Sequence, residues 1–228
     1  MVFDSYFLLK LAHILLFVYW LGGDIGVFYS AFQVRDRHLS ADGRRTALKI
    51  LVWVDQIPRY CLVLMLPVGY TLALRLGVVR MPSSFVVILW AVALVWLWAV
   101  WAIHHYQGTA LGERVRRTDL VWRYVLLFGL LFDAWRGFSG QGHLLVDWIS
   151  LKFLLFAAML FCGIMIRTLG KPSAPALRQI FTTGSTPELE AIVQRTAART
   201  RPFVLGIWVL LVIAAYVGIS KPDFGFTP

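Results

Sequence analysis

Long apolar runs alternate with short basic segments along the chain. Most runs are about 20 residues long, the length of an α-helix that crosses the hydrocarbon core of a bilayer. The pattern predicts an all-α, polytopic membrane helix bundle of about six transmembrane helices, in a single domain over residues 1–228. The predicted spans are 5–34, 52–76, 84–106, 119–138, 147–168 and 202–220.

The connection at 169–201 is the longest one and carries a helix-start signal of its own. Ser185 or Thr186 can serve as the N-cap, and Pro187 then occupies the first helical position. We expect a short surface helix here that ends at Pro202, because proline interrupts the helical hydrogen-bond pattern.

The composition supports a membrane protein. Hydrophobic residues make up 59% of the 228 residues and charged residues only 15%, whereas soluble domains carry about 25% charged residues. This balance argues against a soluble globular protein.

Arginine and lysine are concentrated in three predicted loops, at 35–51, 107–118 and 169–201. Basic loops of membrane proteins remain on the cytoplasmic side. The sequence therefore predicts an inner (cytoplasmic) membrane protein with these loops inside and both termini on the outer side. The net charge of +10 is attributed to the loops, and no nucleic acid is expected as a partner because no binding motif accompanies it.

The first predicted helix carries polar groups on one face at two depths. At 100° per residue, His13, Trp20 and Asp24 point to the same side. His13 lies about 9 Å to the outer side of the helix midpoint, and Asp24 lies about as far to the inner side. Ionisable side chains within hydrocarbon are functional candidates. Gly22 and Gly23 flank this face, where another helix or a flat ligand can approach the backbone.

Other predicted helices place polar residues on the outer side. Arg136, His143 and Lys152 lie there, and Met159 follows Lys152 along the same helix. A plain alternative exists for most of them, because arginine and histidine near helix ends anchor at the interface. Met159 can equally be ordinary helix packing. Lys152 is harder to explain in this way, since it sits inside an apolar run.

A second group of polar residues is predicted on the inner side. Asp55 and Arg59 are one turn apart and can form an ion pair. Arg59 is also at the depth of Asp24, which is expected to face the bundle interior and to relay protons or pair with Arg59. Arg123 is expected to be an interfacial anchor, because it lies near the predicted start of its helix.

Three stretches of the chain carry recognisable motifs. KLAHILLFVYWLGGDIGVFYSAF has His13 followed by WLGG at 20–23, IPRYCLVLMLPVGYTLAL covers 57–74, and WISLKFLLFAAML has a W-x-x-x-K pattern at 148–152. These stretches resemble the copper resistance protein D family and the membrane-bound bacterial protoporphyrinogen oxidases. The resemblance implies a small, haem-associated helical membrane protein.

The expected cofactor is a b-type haem. Neutral imidazole is a common axial ligand of haem iron, so His13 is the expected ligand, with His143 or Met159 as a candidate for the second position. Cations are needed for the propionates, and aromatic and small residues for the walls. The remaining expected cofactor-binding residues are Trp20, Gly22, Gly23 and Arg136, with Asp24, Arg59 and Lys152 in catalytic roles.

The expected function is redox chemistry, either electron transfer or oxidation of a porphyrin or quinone. Two alternatives stay open at this point. A copper or other metal permease would use soft ligands, but the two cysteines and five methionines form no clustered motif. The chain could also be a non-catalytic subunit or assembly factor of a larger membrane complex.

Overall fold

The computed structural model describes residues 5–225, and this part of the chain is helical with short connections. Segments α2 and α3 are separated only by Asp55 and continue as one long helix over Ala41–Arg75. Among residues 5–225 the one β-type pairing outside the helices is an isolated bridge between Val79 and Leu144. The helical segments are α1 (Ser5–Arg35), α2 (Ala41–Val54), α3 (Gln56–Arg75), α4 (Ser83–His105), α5 (Ala110–Phe138), α6 (Asp147–Gly170), α7 (Ser173–Thr183) and α8 (Pro187–Ser220).

Five helices in the described range are long and apolar enough to cross a membrane. They are Ser5–Arg35, Ala41–Arg75, Ser84–His105, Asp147–Gly170 and Pro187–Ser220. The sixth predicted span, 119–138, belongs to α5, which has 29 residues but carries charged side chains through its length. Large apolar side chains face outwards from the long helices, including Val87, Phe128 and Ile219, which are 71%, 65% and 83% exposed.

The long helices that pack against each other run antiparallel. Gly23 of α1 lies against Pro58 of α3, and His13 lies against Gly69 further along both helices. In the same way α8 runs back along α6, through contacts of Gly206 with Cys162 and of Gly218 with Lys152. Short connections at 76–82, 106–109 and 139–146 reverse the chain between the other helices.

This arrangement gives the bundle two distinct ends. We call the end that holds the connections 36–40, 106–109 and 171–186 the basic end, and the end that holds 76–82, 139–146 and 221–225 the opposite end. The first and last described residues both lie at the opposite end, because Tyr6 and Lys221 border one cavity there. The termini, residues 1–4 and 226–228, for which an outer position is predicted, lie outside the described residues.

A buried ion pair joins three elements at the basic end. Arg44 of α2 donates from Nη1 and Nη2 to the two carboxylate oxygens of Glu190 on α8, at 2.6 and 3.1 Å. Its Nε donates to the backbone oxygen of Val34 on α1 at 2.8 Å, and Ser185 donates to Glu190 at 2.7 Å. Both side chains of the pair are almost fully buried, so the polar groups are satisfied by each other and not by water.

The helix predicted in the last long connection begins where expected but does not end there. Thr186 accepts a hydrogen bond from the backbone N–H of Leu189 at 3.4 Å, and α8 starts at Pro187, which confirms the predicted start. The predicted end at Pro202 is wrong, because α8 continues through this proline to Ser220. A proline removes one backbone hydrogen bond, and the helix persists because the residues after it are buried against the bundle, such as Leu211.

Candidate functional site

A cavity of about 640 Å³ lies among α1, α3, α6 and α8, in the half of the bundle near the opposite end. Pockets of this size are typical of small-molecule and cofactor sites. The wall is mainly apolar, with many aromatic rings that come from different helices. The aromatic lining residues include Phe17, Trp20, Tyr70, Trp148, Phe153 and Phe156.

Four of the sequence-predicted site residues meet at this cavity. His13 and Trp20 line it from α1, and Lys152 and Met159 line it from α6. The two helices are far apart in sequence, but both begin at the opposite end, so these residues lie at similar depths along them. Trp20 and Met159 are buried, whereas His13 and Lys152 are partly exposed at the wall.

The imidazole of His13 is held at the wall with an unused polar atom. Its Nδ1 is buried and has no hydrogen-bond partner within residues 5–225. The ring packs on Gly69 of α3, where an added Cβ would lie 3.3 Å from Cε1 of His13. A buried polar atom without a partner is costly, so His13 is a candidate for a functional role at the cavity wall.

The charged groups that border the cavity are all lysines. Lys152 reaches across to α8, where its Nζ would lie 2.6 Å from a Cβ placed on Gly218. It is also close enough to His13 for an electrostatic interaction. Lys10 and Lys221 add two more amines at the rim, and no acidic side chain belongs to the described lining. The cavity therefore suits a ligand with an apolar body and negatively charged groups.

The exposed part of the cavity wall lies on α1 and around the end of α8. The lining residues that are exposed are Lys10 and Ile14 of α1, Ile219 of α8, and Lys221, which directly follows α8. Ile14 and Ile219 are 49% and 83% exposed, so the lips of the opening are apolar between two amines.

The two glycines after Trp20 have different surroundings. A Cβ on Gly23 would lie 2.9 Å from Cδ of Pro58, so α3 approaches the α1 backbone closely at this position. Gly22 takes no part in this helix contact, because nothing lies within 4 Å of its Cβ position and the residue is exposed. Neither glycine borders the cavity as described.

Arg136 and His143, predicted near the outer end, do not line the cavity. Arg136 is exposed, and its guanidinium lies 5.8 Å from the ring centre of Phe132. His143 lies behind Tyr70, with its Nε2 3.1 Å from the phenol oxygen. Burial lowers the pKa of His143, and the carboxylate of Asp133, 3.9 Å away, offsets this only in part. His143 thus touches a lining residue and not the cavity itself.

Asp24 and Arg59 lie on the basic side of the cavity. The carboxyl of Asp24 is within hydrogen-bonding reach of the indole of Trp20, and it also interacts with Asp55 and Arg59. Arg59 donates from Nη2 to Oδ2 of Asp55, which confirms the predicted ion pair. Trp20 therefore stands between the cavity on one side and this acidic group on the other.

The structure contains a buried ionic cluster around Asp119 that the sequence analysis did not predict. The carboxylate of Asp119 accepts from Trp96 at 2.8 Å, and from Nε of Arg123 and Nη1 of Arg167 at 2.9 Å each. The prediction of Arg123 as an interfacial anchor is wrong, because α5 begins at Ala110 and this residue lies well inside the helix. The spacing of Asp119 and Arg123, one helical turn apart, was the sequence signal for their pairing.

No protein-family model, curated protein or solved structure matches the chain. Within residues 5–225 no group of three or more histidine, cysteine, aspartate or glutamate side chains is placed to hold a metal ion. The family resemblance of the three sequence stretches accordingly stays a prediction based on those motifs.

Proposed function

We propose that the chain is an integral membrane protein with its basic end in the cytoplasm and with α5 as a sixth spanning helix. The exposed apolar side chains of the long helices support a bilayer environment, since a soluble monomer rarely exposes large apolar patches. The concentration of arginines at one end supports the orientation. Two charged side chains within α5, Asp119 and Arg123, are paired in the bundle interior, and pairing lowers the cost of carrying them in a span.

We propose further that the cavity binds a b-type haem and that the protein acts in redox chemistry in the membrane. The observation that carries this proposal is the imidazole of His13 at the wall of a large, mainly apolar cavity that also presents amines. An imidazole nitrogen of this kind is the expected group for an axial iron ligand. The aromatic walls fit a flat, apolar macrocycle.

The amines at the cavity suit the two propionates of a haem. Lys152 lies inside the cavity and would neutralise one carboxylate, and Lys10 or Lys221 at the rim would neutralise another. Met159, which is buried in the same wall, is the candidate for the second iron ligand. His143 is less suitable because Tyr70 separates it from the cavity.

When bound, a haem supplies one-electron redox chemistry whose potential depends on its ligands and surroundings. The chain contributes the remaining requirements. The apolar walls exclude water, Lys152 balances negative charge, and the opening between α1 and α8 admits reactants that dissolve in the bilayer. A quinone or a porphyrin fits this route, and we propose one of them as the redox partner.

The test is the visible spectrum of the protein, purified in lipid nanodiscs after expression with ample haem supply. We expect the α and Soret bands of a reduced b-type haem in the wild type. His13→Ala should lose or shift these bands while the helical content remains. His105→Ala is the matched control, because His105 is exposed and stacks on Trp101.

Two results would count against the proposal. A colourless wild-type protein would rule out the haem. A coloured protein whose spectrum is the same in wild type and His13→Ala would retain the haem but reject the ligand, and Met159→Ala and His143→Ala would then locate the true one.

A further inference from the structure

The basic half of the bundle contains a balanced set of charged side chains below the cavity. Three acidic and three basic groups come together from α1, the α2–α3 junction, α5 and α6. Charges at this depth are rare in membrane helices and are typically paired and functional. The set consists of Asp24, Asp55, Asp119, Arg59, Arg123 and Arg167.

The arginines of this set are each committed to an acidic partner. Arg59 pairs with Asp55. Arg123 and Arg167 both pair with Asp119. Asp24 is the one carboxyl of this set that forms no ion pair with an arginine of the set. It lies close enough to Asp55 and Arg59 to interact with both electrostatically.

Several elements contribute groups around Asp24. Its own helix contributes Trp20, whose indole is within hydrogen-bonding reach, and the α2–α3 segment contributes Asp55, Arg59 and the thiol of Cys61. From α8, Arg201 packs on Phe28, one turn further towards the basic end. The surroundings of Asp24 therefore include a second carboxylate, one arginine that pairs with that carboxylate, a thiol, and one wall residue of the cavity.

We propose that Asp24 takes up a proton from the basic end of the bundle when an electron enters the cavity. This inference rests on the proposed haem function. Trp20 borders the cavity with one side and reaches Asp24 with its indole, so the two sites are separated by a single side chain. Added negative charge in a low-dielectric region raises the free energy of any nearby carboxylate, and a proton on Asp24 removes that cost.

The step is balanced in charge and atoms. In the experiment an electrode supplies one electron, which a haem held by His13 would accept. One proton leaves a hydronium ion at the basic end and binds a carboxylate oxygen of Asp24, so that one O–H bond breaks and one O–H bond forms. The coupling is reciprocal, so protonation of Asp24 must favour reduction as much as reduction favours protonation.

The first experiment measures the midpoint potential of the haem-loaded protein between pH 5.5 and pH 8.5. Full coupling of one proton to one electron changes the potential by about 59 mV per pH unit, since one pH unit is a tenfold change in proton concentration. We expect a clear slope in the wild type and in Asp24→Glu, which keeps a carboxyl. Asp24→Asn should give a nearly flat profile.

The matched control is Asp133→Asn. Asp133 is a half-buried carboxyl near the opposite end that interacts with Tyr70, another wall residue of the cavity. We expect the slope to survive this change. The inference would be overturned if Asp24→Asn kept the pH dependence of the midpoint potential. It would also be overturned if only Asp133→Asn lost that dependence. In both cases the haem proposal would stand. A colourless protein would remove both.

A second measurement follows Asp24 without using the haem. An infrared titration of the wild type over the same pH range should show a carbonyl band of a protonated carboxyl that grows as the pH falls. That band should be missing in Asp24→Asn and present in Asp133→Asn. A spectrum in which Asp24→Asn matches the wild type would show that Asp24 exchanges no proton, and the inference would be wrong.

Discussion

The imidazole of His13 occupies the space that a side chain at Gly69 would need. A Cβ atom at that glycine would lie 3.3 Å from Cε1 and 3.7 Å from Nδ1 of the histidine. The α3 backbone therefore serves as the surface on which the ring rests, and it fixes the ring at the cavity wall. A methyl group at this position would require the imidazole to shift by a few tenths of an ångström, and a larger, branched side chain would require a larger shift.

The first prediction concerns this contact. Gly69→Val should displace His13 and reduce the haem content of the purified protein severalfold, because a branched side chain adds atoms where the ring already lies. Haem per protein, measured from the Soret band against total protein, gives the readout. Gly163→Val is the matched control, since nothing lies within 4 Å of a Cβ at Gly163. Equal haem content in the two variants would contradict the prediction.

The second prediction uses the neighbouring glycines of α1. Gly23→Ala should destabilise the fold by about 1–3 kcal/mol, the usual cost of overpacking, because its methyl group would meet Pro58. Gly22→Ala should be neutral or stabilise the helix by up to about 1 kcal/mol, the helix-propensity difference between these residues. Thermal unfolding in one detergent compares the two. A Gly22→Ala variant that is less stable than Gly23→Ala would refute the packing described for α1 and α3.

The third prediction concerns the ion pair of the basic end. Glu190→Ala leaves the Arg44 guanidinium buried without its partner, which costs about 3–5 kcal/mol. Glu188→Ala is the control, because Glu188 lies two residues earlier on the same helix and is exposed. We expect a large fall in the unfolding temperature for the first variant and none for the second. Similar melting curves would mean that the buried pair does not hold α1, α2 and α8 together.

The fourth prediction concerns the orientation of the bundle. A periplasmic reporter enzyme fused after Pro228 should be active, because an outer position is predicted for the C-terminus. The same reporter inserted at Gly184, in an exposed connection of the basic end, should be inactive. The reverse result would invert the bundle, and activity at both positions would change the number of spans.

The sequence could predict the depth of each site residue along its helix. Rise and rotation per residue assigned His13 and Trp20 to one face of α1, and the same arithmetic set Lys152 near the depth of His13. The structure brings these residues to one cavity. Such reasoning works because a spanning helix has few degrees of freedom beyond its depth and its rotation.

The helix boundaries and the contacts between helices could not be predicted in this way. They depend on where each helix begins and on which other helices it packs against. The apolar run of α5 suggested a start near 119, whereas a polar first part extends the helix back to Ala110 and moves Arg123 into the interior. Helix α7 has no long apolar run, and it forms by packing Leu177 and Ile180 against the basic end. The partnership of Asp119 with Arg167 joins helices that are distant in sequence, so no local spacing could reveal it.

In the membrane setting that we propose, the opening between α1 and α8 determines how a ligand exchanges with its surroundings. A molecule that leaves through apolar lips enters a two-dimensional solution, in which its concentration is counted per lipid and not per volume of water. Occupancy then depends on the ratio of ligand to lipid, and it is insensitive to washing with buffer. Dilution by detergent micelles acts differently, because it enlarges the apolar phase itself and draws the ligand out by partition. The ratio of detergent to protein during extraction thereby becomes a thermodynamic variable of the site.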